Sequence, residues 1–375
     1  MSKPKRIYVI AGEASGDLHA SNLMRAVLEE DNSVDFRYWG GDKMMSVQEG
    51  CVKHIKDLAF MGFLEVIKNI RTILGNISFC KKDILAYKPD ALLLVDYPGF
   101  NLRIAEWAKK NNIKVFYYIS PQVWAWKQSR VHKIKKVVDE MYVILPFEKQ
   151  FYKKFDFDVT FVGHPLIDEI ERFNRLEKLD FEEFKEKNKL NSKPIIAVLP
   201  GSRKQEIAKK LPIMLDALSI YDDYQIIIAG APSLDTSFYN EFLIENSKII
   251  FGQTYNLLSH ATAGVVTSGT ATLETALFNV PEVVCYKSSK FSYEIAKRLI
   301  KIKFISLVNL IMDKEVVKEL IQDDCSPAKI RQEMNKILND KSYNDQMHNS
   351  YDELVKKLGS GGASKKVAQS LLKTI

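Results

Sequence analysis

Apolar residues fall along this chain in short, nearly unbroken runs rich in β-branched side chains, and six of those runs end directly in a stretch rich in Gly, Ser or Pro. Residues 7–11 lead into Gly12-Glu-Ala-Ser-Gly-Asp17, 91–95 into Asp96-Tyr-Pro-Gly-Phe-Asn101, and 115–119 into Ser120-Pro-Gln-Val-Trp-Ala-Trp126. Further on, 161–162 lead into Gly163-His-Pro165, 195–199 into Pro200-Gly-Ser-Arg203, and 264–266 into Thr267-Ser-Gly-Thr270. Runs of this length without polar alternation predict strands buried on both faces, hence parallel sheets under helices. Ligands of such sheets bind beyond the carboxyl ends of the strands. The polar atoms of all six motifs are therefore expected on sheet crests, lining a cleft.

Strand and helix signals alternate twice over, which predicts an α/β protein of two doubly wound, Rossmann-like domains facing each other across a cleft. The first domain is expected over 1–170, and a polar, charge-dense stretch over 171–193 reads as linker with a surface helix. The second domain, over 194–350, takes strands near 195–199, 225–229, 248–251, 264–267 and 283–286. A helical tail over 351–375 is broken by Gly359-Ser-Gly-Gly362, leaving a short last helix. Residues 60–77 predict an amphipathic helix, with Phe63, Leu64, Val66, Ile67, Ile70, Ile73, Leu74 and Ile77 on one side and Glu65, Lys68 and Arg71 on the other. Such a helix either packs on the first sheet or presents an apolar surface to acyl chains or a bilayer.

At 375 residues, with 46% hydrophobic and 27% charged positions, the composition is that of a soluble globular protein of two domains. No apolar run approaches the roughly 18–20 residues of a spanning helix. The first run is too short for a signal-peptide core, so a cytosolic location is expected. Cys51, Cys80, Cys285 and Cys325 are scattered, which predicts reduced thiols and neither a disulfide framework nor a zinc site. The net charge of +7 favours an anionic partner: a nucleotide, a phosphorylated substrate or an acidic membrane surface. It is too dispersed to point to nucleic acid.

The clearest chemistry lies in Thr267-Ser-Gly-Thr-Ala-Thr-Leu-Glu274. A helix starting near Ala271 offers amides and the positive end of its dipole as a seat for a diphosphate. Ser268 and Thr270 add hydroxyl donors, Gly269 allows close approach of the anion, and Glu274 is placed to accept from ribose hydroxyls. An ordinary N-cap followed by an exposed glutamate would read the same way. Arg203, beside a Gly-Ser turn, suits bidentate phosphate recognition and equally suits a plain surface arginine. There is no P-loop lysine motif and no G-x-G-x-x-G, which argues against kinases and nicotinamide dehydrogenases. Asp96, at the end of a buried run, is a candidate general base or a turn-capping aspartate. Glu13 and Asp17 pose the same choice on another crest, with His19 close behind. Trp124 and Trp126 precede Lys127, Arg130, His132, Lys133, Lys135 and Lys136, a pattern that fits a partly apolar phosphorylated ligand or a membrane interface. A core anchor with a solvated basic face fits it too.

Taken in order, the motifs resemble those of the lipid-A-disaccharide synthases, bacterial glycosyltransferases. To the strings above they add Met61-Gly-Phe-Leu-Glu-Val66, Leu145-Pro-Phe-Glu148 and Ala296-Lys-Arg-Leu299, so the resemblance spans nearly the whole chain. It implies a GT-B fold and an inverting transfer without metal or other cofactor. The donor it implies is UDP-2,3-diacylglucosamine and the acceptor 2,3-diacylglucosamine 1-phosphate, giving the β-1,6-linked disaccharide 1-phosphate and UDP. Asp96 is then the base and Glu13 a second essential carboxylate. Arg203, Arg298 and Asn309 stand on the donor side, and Ser15, Asn101 and Trp124 are carried into the substrate site by their motifs. Val308 stands where the family often has Pro before the Asn. The same resemblance implies peripheral association with the anionic inner face of the inner membrane, and leaves a homodimer open.

Overall fold

The structure is a computed structural model, and it describes residues 4–58, 70–289, 293–294 and 302–375. Its first sheet is built from β1 (Arg6–Ala11), β2 (Asp35–Gly40), β3 (Cys51–His54), β4 (Ala91–Val95), β5 (Lys114–Tyr118), β6 (Glu140–Val143) and β7 (Thr160–Phe161). All seven are parallel, in the order β3-β2-β1-β4-β5-β6-β7. Both faces of this sheet are covered, and that explains the unbroken apolar runs. Tyr8, Ile10, Leu92 and Leu94 turn into one core layer with Ile77, Ile84 and Ile104. Ile7, Val9, Leu93 and Val95 turn into the other, with Leu23, Met24 and Val27.

The second sheet repeats the plan with β8 (Ile195–Leu199), β9 (Gln225–Gly230), β10 (Ser247–Phe251), β11 (Ala261–Thr267), β12 (Glu282–Tyr286) and β13 (Lys318–Ile321). They are again parallel, in the order β10-β9-β8-β11-β12-β13. In each sheet the chain winds outward from its first strand and then returns to that strand's other side. The winding therefore reverses between β1 and β4 in one sheet, and between β8 and β11 in the other. Connections diverge at such a point and leave a crevice above the strand ends, where doubly wound folds bind ligands.

The boundaries differ from those expected. One unit is Met1–Pro165 with Leu358–Ile375; the other is Leu166–Lys357. Residues 171–193 belong to the second unit and are largely helical, within Pro165–Leu176 and Phe181–Asn188. Phe184 supplies the reason: it is fully buried against Leu257, Leu258 and Val280. The tail also divides, since helix Lys341–Leu358 buries Tyr351 and Leu354 while helix Ala363–Thr374 buries Val367, Ala368 and Leu371 in the first unit's core. Helix 60–77 of the sequence reading falls largely outside the described residues; the described helix, Ile70–Tyr87, runs ten residues further than expected.

Candidate active site

At the winding reversal of the first unit, the crests of β1 and β4 bring Glu13 and Asp96 together. Two consecutive residues there, Asp96 (φ 44°) and Tyr97 (φ 49°), adopt the left-handed conformation. Non-glycine residues are held so only where the surroundings over-determine it. The Asp96 carbonyl accepts from Asn101 Nδ2 (2.7 Å) and from the Tyr117 hydroxyl (2.6 Å), and its amide donates to the Tyr118 carbonyl (3.0 Å). The Tyr97 ring lies over Gly12, where a Cβ would come within 2.3 Å of it. Pro98 then opens helix Pro98–Lys110. The Asp96 carboxyl is raised to about 6, first by burial and then by the Glu13 charge, with the Tyr97 amide opposing. Glu13 stands at the N-cap of helix Ala14–Glu30 without a side-chain cap bond, so its carboxylate is not spent on the helix. Ser15 is exposed in the same first turn.

Asn101, Asp17 and Trp124, also marked on this unit, are buried within it. Asn101 is fully buried and its amide ties helix to strand through Asp96 and Val95 carbonyls. Asp17 is buried and accepts from the amides of Gly41, Lys43 and Met44. Trp124 is 8% exposed, edge-on to Phe147 at 5.0 Å, whereas Trp126 is 47% exposed with Arg130 4.6 Å above its ring. The core-anchor reading holds for Trp124 alone. Beneath this segment sits Glu148, a buried carboxylate that accepts from the amides of Ile144 and Leu145. Burial raises it to about 7, against the lowering effect of those amides and of Ser120 and Trp124.

At the winding reversal of the second unit, a cavity of about 340 Å³ opens between the crests of β8 and β11. Gly201, Ser202, Thr267, Ser268, Gly269, Thr270 and Glu274 line it. Gly269, at φ 149°, takes a backbone conformation that a side chain would strain, and helix Thr270–Leu277 starts directly after it. Glu274 accepts from the Tyr255 hydroxyl (3.0 Å), and burial raises its pKa. The expected hydroxyl pair is corrected at one member. Ser268 Oγ donates to the Ile305 carbonyl (2.9 Å), so toward a ligand it can only accept.

Arg203 is exposed and loosely held, its guanidinium 3.5 Å from Glu206. Asn309 is fully buried and all of its side chain is used within the protein. It donates to the Val317 carbonyl and Glu319, and accepts from the amides of Val316 and Val317. It fastens the loop whose Ile305 carbonyl holds Ser268, and does not itself reach the cavity. Arg298 lies outside the described residues. Glu148 entered the sequence reading only within a motif and without a role, and Lys210 and Glu319 escaped it; Lys210 left a signal, a lysine on the apolar stripe of a helix. Among the described residues no group of His, Cys, Asp and Glu is placed to hold a metal ion, and no helix is long and apolar enough to cross a membrane.

Two Rossmann-like domains in tandem, each with a polar crest at its winding reversal, make this a GT-B fold. The glycotransferase of kitacinnamycin superposes with a TM-score of 0.68 at 13% identity, covering 99% of each chain. The UDP-GlcNAc 2-epimerase of Neisseria meningitidis, solved with UDP-GlcNAc, gives 0.67 at 16% identity over 98% of this chain and 100% of that one. The family is narrower than the fold. A model of the lipid-A-disaccharide synthetases matches residues 7–373, and the lipid-A-disaccharide synthase of Trichlorobacter lovleyi is 37% identical over 389 aligned residues, 100% of this chain and 99% of its own length. The chain belongs to the lipid-A-disaccharide synthetase family, glycosyltransferases of lipid A biosynthesis.

Proposed function

We propose that this enzyme transfers 2,3-diacylglucosamine from its UDP derivative to the 6-hydroxyl of 2,3-diacylglucosamine 1-phosphate, with inversion and without a metal ion. Asp96 accepts the proton of the acceptor hydroxyl as its oxygen attacks the donor's anomeric carbon. The bond from that carbon to the UDP oxygen breaks, and its electron pair leaves on the diphosphate. The first unit supplies the base, and the second holds the nucleotide. Helix amides after Gly269 face the diphosphate, Arg203 closes on it from solvent, and Glu274 accepts from the ribose.

The observation that carries this reading is Asp96. A carboxyl raised to about 6 by burial and a second carboxylate, on a strained crest that three hydrogen bonds fix, suits a general base. The test is incubation with the two diacyl sugars and mass detection of products, with and without EDTA. The expected outcome is a tetraacyl disaccharide 1-phosphate with equimolar UDP, unaffected by EDTA. UDP-sugar epimerisation without a disaccharide would overturn the transfer, and EDTA-abolished turnover restored by magnesium would overturn metal independence.

A further inference from the structure

Helix Lys204–Leu218 departs from its own pattern at one place. Ile207, Leu211, Met214 and Leu215 are buried at the spacing of an inward face, and Lys210 stands in the middle of that stripe at 3% exposure. A lysine so placed gives up most of its hydration, which is unfavourable unless specific partners replace the water. Its Nζ bonds to Thr267 Oγ1, on the last residue of β11. Glu206, one turn back, is the compensating charge, and burial still draws the Lys210 pKa down. The Cys285 and Cys325 thiols face it from β12 and from the segment after β13. The turn at Gly201 closes over the group, with a Cβ there 3.2 Å from Glu206 Oε2 and 3.7 Å from Lys210 Nζ.

An ammonium has three hydrogens and no lone pair, so Thr267 Oγ1 must be the acceptor in this bond. The hydrogen of the Thr267 hydroxyl is then directed elsewhere, and Thr267 lines the 340 Å³ cavity. Lys210 itself lines an adjoining cavity of about 250 Å³, which shares Glu206 and Ser268 with the first. The neighbouring crest hydroxyl, Ser268, already donates to Ile305. Thr267 is therefore a hydroxyl on this crest that accepts from a buried cation and keeps its own hydrogen for another partner.

We infer that Lys210 is a positioning residue for the donor's diphosphate: it fixes Thr267 so that the hydroxyl donates to a phosphoryl oxygen, and its own buried charge strengthens that bond. The inference rests on reading the cavity as a nucleoside diphosphate seat, and names the pair that polarises it. A lysine held only to neutralise Glu206 would have no reason to favour a phosphorylated ligand over the bare nucleoside.

That contrast sets the experiment: calorimetry of UDP and of uridine with the full chain, as wild type, Lys210→Met, Thr267→Val and the double variant, with a melting curve for each. Methionine keeps the length and the apolar stem, and valine keeps the shape of threonine. Each single variant is expected to weaken UDP binding about tenfold or more while leaving uridine affinity within about twofold, and the double variant to lose less than the product of the two. UDP affinity within about twofold of wild type in either variant overturns the inference, as does an equal loss for UDP and uridine. Thr267→Val keeps the test open if Lys210→Met fails to fold. A wild-type chain that binds no UDP overturns the nucleotide reading itself, a result distinct from unaffected variants.

Discussion

Asp96 joins three properties that rarely meet in one residue: a positive φ, partial burial and a neighbouring carboxylate. Its rate and stability effects should oppose each other. As a base it works only when ionised, so kcat/KM should fall as pH drops through about 6. Replacing Glu13 with Gln removes the like charge, and the acidic limb should then move to lower pH. Asp96→Asn should lower turnover by about 10²–10⁴-fold with the fold intact. Stability carries the other sign. The folded state raises this carboxyl above its ordinary 3.8. The contribution is thus fully present below about pH 4 and lost as pH rises through about 6. Asp96→Asn, which cannot ionise, should be more stable than wild type above pH 6 by about 1–2 kcal/mol, allowing for the solvent that reaches this group. The gap should close near pH 4. Melting curves at pH 4 and 7.5 check it; a variant less stable than wild type at pH 7.5 would show that the aspartate serves the fold.

The elements carry the crest, and Asn309 shows how. Its replacement by Ala strands the buried amides of Val316 and Val317 and releases Glu319. The expected loss is about 2–4 kcal/mol in urea unfolding, and an unchanged midpoint would return Asn309 to a direct ligand role. The strands that position the site were legible because burial on both faces leaves no polar alternation, as in β4 and β8. Those that escaped, β2, β3, β6 and β13, lie outside the winding reversals and mix polar with apolar residues: Arg37 reaches Asp83, and Glu319 turns to the amides of Ile305 and Ser306. The crest positions of Asp96, Glu13, Gly269 and Glu274 were legible because each directly follows, or closely follows, such a run. Lys210 and Glu148 were not, because their chemistry depends on what covers them, and a sequence does not state its own burial. The four bonds that Asn309 makes within the protein were hidden for the same reason.

On the scale of the whole molecule, the division into units sets what can be separated. A fragment of 166–357 keeps Phe184, Tyr351 and Leu354 in its core, whereas 194–350 lacks all three. The longer fragment should melt cooperatively and bind UDP in calorimetry and the shorter should do neither; equal behaviour would mean that the added helices are dispensable. Membrane association, proposed here as peripheral, has its clearest apolar face on helix Ile70–Tyr87. Leu74 and Leu85 are 56% and 50% exposed on one side of it, and Arg71 and Lys82 are exposed nearby. Such a face suits an anionic interface, with each basic side chain contributing about 1 kcal/mol and salt removing only that share. Ile77, by contrast, is buried in the core, so the two leucines can be changed without opening it. Leu74→Ser with Leu85→Ser should therefore release the protein from anionic vesicles more completely than 1 M salt does, with a melting temperature within about 2 °C of wild type. A double variant that still sediments with vesicles as wild type does would move the membrane contact off this helix.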